Sequence, residues 1–160
     1  KGQKSISFGA KAGWKNKTWE IGLNYNHITS DGRYLMPREW GRDPFFTFLP
    51  RERNEGLGDV HAVMGKINYK IPLLRSTASA AFGHYSLPDV TNFALNKYGL
   101  PSYNQFNVDA RYRFAGILKG LETQLLYVYK DKTGNSFGND KYVINKVDMG
   151  LWNLVFNYQF

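Results

Sequence analysis

The stretch Gln105-Phe-Asn-Val-Asp-Ala-Arg-Tyr-Arg-Phe114 decides the fold. Phe106, Val108, Ala110, Tyr112 and Phe114 occupy one parity, and Gln105, Asn107, Asp109, Arg111 and Arg113 the other. Successive side chains of a β-strand point to opposite faces, so this segment has one apolar face and one polar face. The closing residues repeat the pattern, with Gly150, Trp152, Leu154, Phe156, Tyr158 and Phe160 opposed to Leu151, Asn153, Val155, Asn157 and Gln159. Leu121–Lys130, Ile6–Trp14 and Trp19–Asn26 alternate in the same way, and Val60–Tyr69 and Thr77–Tyr85 do so less cleanly. The total is seven strands of about ten residues. No segment sustains a 3.6-residue apolar period, so helices are expected to be short and confined to loops.

The connectors alternate in length. Short ones fall at Lys15–Lys17, Lys70–Arg75 and Ala115–Gly120, and long ones at 30–58, 86–101 and 132–146. Consecutive antiparallel strands put every second connector at the same end, so all short turns share one rim and all long loops the other. Ten-residue alternating strands with this asymmetry are the signature of an outer-membrane barrel.

Composition narrows the alternatives. The chain has 160 residues, no cysteine, 4 Trp, 11 Tyr and 11 Phe, with 21 Lys+Arg against 13 Asp+Glu for a net charge of +8. An apolar share of 42% is too high for a disordered chain. The mean hydropathy is −0.47, and no run approaches the roughly 20 apolar residues of a membrane helix. Without cysteine there is no disulfide framework, thiolate metal site or Cys nucleophile. A soluble β-barrel or sandwich would also alternate, burying its apolar parity. Two features favour the membrane version. Trp14, Trp19, Tyr69, Phe114, Tyr158 and Phe160 put aromatics of the apolar parity at strand ends, as a headgroup girdle would. The other parity carries Asp109, Arg111, Arg113, Glu122, Lys130 and many Asn and Gln, which suits a water-filled lumen. The expected fold class is all-β, an antiparallel transmembrane β-barrel integral to a bacterial outer membrane and in contact with its lipid.

A final strand of alternating aromatics ending in Phe160 looks like the assembly signal of bacterial outer-membrane barrels, in which the last strand ends on the periplasmic side. The short turns are then periplasmic and the long loops extracellular. Seven strands conflict with the even number of single-chain bacterial barrels, and an open edge in lipid leaves backbone groups unsatisfied at several kcal/mol each. Residues 1–160 are therefore expected to form the C-terminal part of a larger barrel, whose remaining N-terminal strands lie on a missing segment or another chain. The alternative is an overlooked strand and a complete eight-stranded barrel.

The first long loop contains Pro37-Arg-Glu-Trp-Gly-Arg-Asp-Pro-Phe-Phe46, followed by Arg51-Glu-Arg-Asn-Glu-Gly56. With the Asn145-Lys-Val-Asp148 and Asn157-Tyr-Gln-Phe160 segments, it resembles the OprD family of substrate-specific outer-membrane porins. The resemblance implies an 18-stranded monomeric-pore barrel that takes up small carboxylates, including amino acids. It would make these strands the last seven and 30–58 the seventh extracellular loop, which folds inward there to narrow the pore. Physical chemistry points the same way: a loop carrying Trp40, Phe45, Phe46, Phe48 and Leu49 should pack against the barrel wall and not leave them in water. That would bring Arg38, Glu39, Arg42, Asp43, Arg51, Glu52, Arg53 and Glu55 to the constriction, many of them pairing with one another to pin the loop.

Arg111 and Arg113 share a parity on one strand, which spaces them about 7 Å apart along the wall, and each guanidinium can hold a carboxylate bidentately. The resemblance implies a ladder of basic lumen residues that leads a substrate carboxylate through the pore, with this pair as rungs and Lys11, Lys66 and Lys130 extending it. A salt-bridge network with Asp109 and Glu122 that only stiffens the wall is the competing role. The net charge does not indicate nucleic acid, because basic residues are dispersed and the aromatics fall on the opposite parity from Arg111 and Arg113; turn lysines suit anionic headgroups. No catalytic residue, metal ligand or cofactor is assigned. Nucleophile-elbow, zinc-protease and phosphate-loop motifs are absent, and His27, His61 and His84 lie on separate strands without ligand spacing. The expected function is passive diffusion of small anionic or zwitterionic solutes bearing carboxylates. A small structural or adhesive outer-membrane barrel is the alternative, with an outer-membrane enzyme behind it.

Overall fold

The computed structural model describes residues 4–35 and 45–160. Seven strands form one antiparallel sheet in chain order: β1 (Ser7–Lys15), β2 (Trp19–Ile28), β3 (Val60–Ile71), β4 (Ser76–Ser86), β5 (Tyr103–Arg113), β6 (Leu121–Lys132) and β7 (Met149–Tyr158). The strand count agrees with the alternation. The sheet itself is not closed, since β1 and β7 each pair on one side only. Among the described residues the only helices are single 3-10 turns, and none is long and apolar enough to cross a membrane.

The β3–β4 connector is tighter than the sequence suggests. β3 runs on to Ile71 and β4 starts at Ser76, leaving one 3-10 turn at Pro72–Leu74 closed by Arg75 with φ at 50°. Pro72 has no N–H to extend the ladder, so pairing stops there. At the β5–β6 turn the chain needs Gly120, whose φ is 100° and where a Cβ would strike the carbonyl of Gln159.

Register carries each parity across all seven strands. Lys11, Asn24, Met64, Gly83, Gln105, Lys130 and Met149 form one cross-strand row. The next row toward the short turns holds Lys66 and Asn107, then come rows with Asp109, with Arg111 and with Arg113 opposite Glu122. The opposite face is apolar and none of the described residues covers it: Leu23, Trp152, Leu154 and Phe156 are between 59% and 65% exposed. At its turn end the rings of Trp19 and Tyr69 lie 4.2 Å apart, and those of Tyr112 and Phe114 lie 4.8 Å apart.

The described residues cover the polar face in its loop-side half. There the inward parity turns apolar, and Ile28, Val60, Ala62, Tyr85 and Tyr103 pack with Phe45, Leu57, Leu100 and Val147 from the long loops. This is why β3 and β4 alternate poorly: near the loops both their faces are buried or apolar. The three loops hold one another. Gly58 donates to the carbonyl of Leu95 at 2.8 Å, and Lys97 N–H donates to Gly56 at 3.1 Å. Asn96, wholly buried, donates to the carbonyls of Pro88 and Leu100 and accepts from Leu100 N–H.

Tyr85 ties the first loop to the sheet, its hydroxyl donating to the Thr47 carbonyl at 2.8 Å and to Glu52 Oε2 at 3.2 Å. Tyr85→Phe leaves both acceptors short of a donor in a buried place, which costs about 1–3 kcal/mol. A lower denaturation midpoint, with faster tryptic cleavage after Arg51 and Arg53, is the expected result.

Candidate functional site

Residues Phe45–Glu52 cross the polar face as two successive tight turns, closed by Phe48 N–H on the Phe45 carbonyl at 3.2 Å and Glu52 N–H on the Leu49 carbonyl at 2.9 Å. Phe45, Thr47 and Leu49 turn toward the sheet and are buried, while Phe46 and Phe48 point away and stay exposed. The described part of the loop thus packs inward as its composition suggests, but Phe46 and Phe48 remain uncovered, because a chain folded into tight turns over one face of the sheet can press only some of its side chains against it. Trp40, Arg38, Glu39, Arg42 and Asp43 lie outside the described residues.

Side chains of the sheet satisfy the loop's backbone. Asn24 Nδ2 donates to the Phe46 carbonyl at 2.8 Å, Thr47 N–H donates to Asn26 Oδ1 at 3.1 Å, and Gln105 Nε2 donates to the Pro50 carbonyl at 2.7 Å. Lys130 Nζ donates to the Arg51 carbonyl at 2.5 Å and stands 4.5 Å from the centre of the Tyr103 ring. Each contact removes an unpaired backbone group from a partly buried position.

The cations foreseen on the polar parity descend the wall in steps. Lys130 stands in the Gln105 row, Lys66 in the next, and Arg111 and Arg113 in rows closer to the turns. From the Gln105 row to Arg113 is eight residues along β5, about 27 Å of wall. Lys11 shares the row of Lys130 but sits at the far edge, on exposed β1. Both arginines are engaged: Arg111 Nε donates to Asp109 Oδ1 at 2.9 Å, and Arg113 Nε donates to Glu122 Oε2 at 2.7 Å. Gln124 also donates to Asp109. Lys66 lies 3.6 Å from Glu20, which Lys15 also approaches at 3.5 Å. The salt-bridge network expected as the competing role therefore exists, yet both arginines remain open to solvent.

The loop divides the space over this wall. On its turn side, a cavity of about 210 Å³ is roofed by Leu49 and Pro50 and lined by Lys66, Asp109, Arg111 and Gln124. On its loop side, a cavity of about 780 Å³ is lined by Arg51, Glu52, Arg53, Lys97, Lys130 and Lys146, among others. Sequence reading missed Lys97, Tyr98 and Lys146. They come from the second and third long loops, and contacts between loops leave no periodic signal.

Two of the loop's carboxylates, Glu52 and Glu55, take partners from beyond the loop. Glu52 accepts from Leu49 N–H, Asn54 and Tyr85, and Glu55 accepts from Lys97 at 3.3 Å and from the Tyr98 hydroxyl at 2.6 Å. Arg53 stacks over the Tyr98 ring at 4.4 Å. Contacts with Tyr98 and Glu55 raise the Lys97 ammonium above the ordinary lysine range. Lys146 instead bonds the carbonyls of Tyr98 at 2.8 Å and Lys141 at 2.6 Å. Partial burial, then the neighbouring Lys141, push it below that range.

No protein-family model matches the chain, and no curated protein matches it. Among the described residues no group of three His, Asp or Glu is placed to hold a metal ion.

Because Arg113 is 77% exposed, its pair with Glu122 adds little to stability. Arg113→Ala and Glu122→Ala should each shift the free energy of unfolding by less than about 1 kcal/mol in chemical denaturation. Either residue can then be varied in functional assays without confounding loss of fold.

Proposed function

We propose that this chain is the C-terminal part of an outer-membrane diffusion pore of the OprD type, passing small carboxylate-bearing solutes down their gradient. One observation carries the reading. The longest loop lies across the polar face of a sheet whose cations continue past it in successive rows, while the opposite face is an uncovered array of aromatic and aliphatic side chains. Such a face suits lipid, and its aromatic pairs at the turn end suit the headgroup boundary. The opposite face suits water. The two unpaired edges, β1 and β7, call for further strands, since backbone groups in hydrocarbon need partners. The OprD resemblance would supply about eleven of them ahead of β1, on a segment or chain beyond this one.

In this pore the loop is the constriction, and solute crosses from the loop-side cavity past Pro50 to the turn-side cavity. Lys66 and Arg111 line the latter and offer a carboxylate its next partners, followed by Arg113. Asp109 and Glu122 hold the guanidiniums through Nε, leaving the Nη donors to bind in transit. Contacts this exposed are weak, which lets a solute leave as readily as it arrives.

Planar-bilayer recording of the full-length protein tests the reading directly: a steady ion current is expected, and its absence overturns the pore. Arg111→Ala combined with Arg113→Ala should slow carboxylate flux several-fold, and unchanged flux would reduce the pair to scaffolding. The lipid contact has its own test. Leu125→Arg, central on the apolar face of β6, should cost about 2–4 kcal/mol on unfolding from bilayers, whereas Gln124→Arg on the polar face should cost far less.

A further inference from the structure

The cavity of about 780 Å³ at the loop end is surrounded by five cations and one carboxylate. That carboxylate, Glu52, is already the acceptor for Leu49 N–H at 2.7 Å, Asn54 at 2.9 Å and Tyr85 at 3.2 Å. Lys97 has Glu55 at 3.3 Å. Among the described residues none of the other four, Arg51, Arg53, Lys130 and Lys146, has a carboxylate within 4.0 Å.

Three of these charges are nevertheless fixed in place. Lys130, 4% exposed, is held by the Arg51 carbonyl and the Tyr103 ring. Lys146 is held by the carbonyls of Tyr98 and Lys141. Arg53 is stacked on Tyr98. An ammonium has three donors and a guanidinium five, so donors remain unspent at each. Cations oriented chiefly by neutral groups, with no carboxylate within 4.0 Å among the described residues, form a preorganised anion site, because the cost of ordering them is met before the ligand arrives. The position of Lys146 below the ordinary lysine range is consistent with partial burial that no carboxylate offsets.

We propose that this loop-built cavity captures small solutes bearing two carboxylates and discriminates against zwitterionic amino acids. Four positive charges, Arg51 and Arg53 from the first loop, Lys130 from β6 and Lys146 from the third loop, surround one carboxylate and can engage two separated carboxylates at once. The ammonium of an amino acid would meet these cations and, among the described lining residues, find only Glu52, whose oxygens are taken. The assignment rests on the pore reading and deepens it by naming the solute class.

The test is isothermal titration of the purified full-length protein with succinate and, separately, glycine, which requires no conduction. Succinate should bind, glycine should give no saturable heat, and Arg53→Gln with Lys146→Gln should weaken succinate at least about tenfold, as loss of charge-assisted hydrogen bonds does. The single variants, each expected to weaken binding by a smaller factor, serve if the double variant does not fold. Glycine binding as tightly as succinate, or succinate binding that none of these variants alters, overturns the assignment. A protein that binds succinate but carries no current would overturn the pore and leave the site standing.

Discussion

A chain segment laid across a sheet face, not along its edge, cannot use the strand ladder to satisfy its own amides and carbonyls. Everything at the loop end depends on how that problem is solved. Asn24, Asn26, Tyr85, Gln105 and Lys130 reach up from four different strands and bond the backbone between Phe46 and Arg51. Side-chain amides suit this task because each presents both donor and acceptor without a net charge to desolvate. The single charged member, Lys130, is buried by the same contact, and its ammonium becomes part of the cavity wall. Support of the loop and electrostatics of the cavity are thus one arrangement.

The position of the loop also decides which charges can act together. Pro50 receives Gln105 and Asn107 from neighbouring rows, so the segment crosses the wall between Lys130 above and Lys66 and Arg111 below. Above it, Lys130, Lys146 and Arg53 rest on carbonyls and rings, and Lys97 pairs with Glu55. Below it, the cations are paired with Asp109, Glu122 and Glu20. In the proposed pore this division would make entry a region of net positive attraction and the remaining wall one of weaker, competing contacts.

Much of the fold was legible in the order of residues, for a physical reason: a strand exposed differently on two faces must alternate. β5 and β7, apolar on one face and mostly polar on the other for most of their length, could be read residue by residue. β3 and β4 resisted because Val60, Ala62 and Tyr85, on the polar parity, bury against the loops, so the parity that reads as polar elsewhere is apolar there. The arginine partners were partly visible too: Asp109 lies two residues from Arg111, and Glu122 sits across a short turn from Arg113. What escaped was Lys97, Tyr98 and Lys146, brought beside Arg53 by hydrogen bonds between loops 42 to 48 residues apart in sequence. Packing of irregular segments has no period, and composition alone ranks those lysines with any other loop cation.

The order of the sheet bears on how it comes to exist. Every strand pairs only with its neighbours in the chain, and the connectors are as short as three residues between β1 and β2 and as long as thirty-one between β2 and β3. A tenfold difference in loop length alters the entropy of closure by about 2 kcal/mol. The hairpins β1–β2, β3–β4 and β5–β6 are therefore the natural first units, each able to register itself through its turn. The longer loops would close afterwards, when adjacent hairpins meet edge to edge, and their own packing over the finished face would come last. On this ordering the cavity walls are the latest part of the molecule to form and the first to come apart.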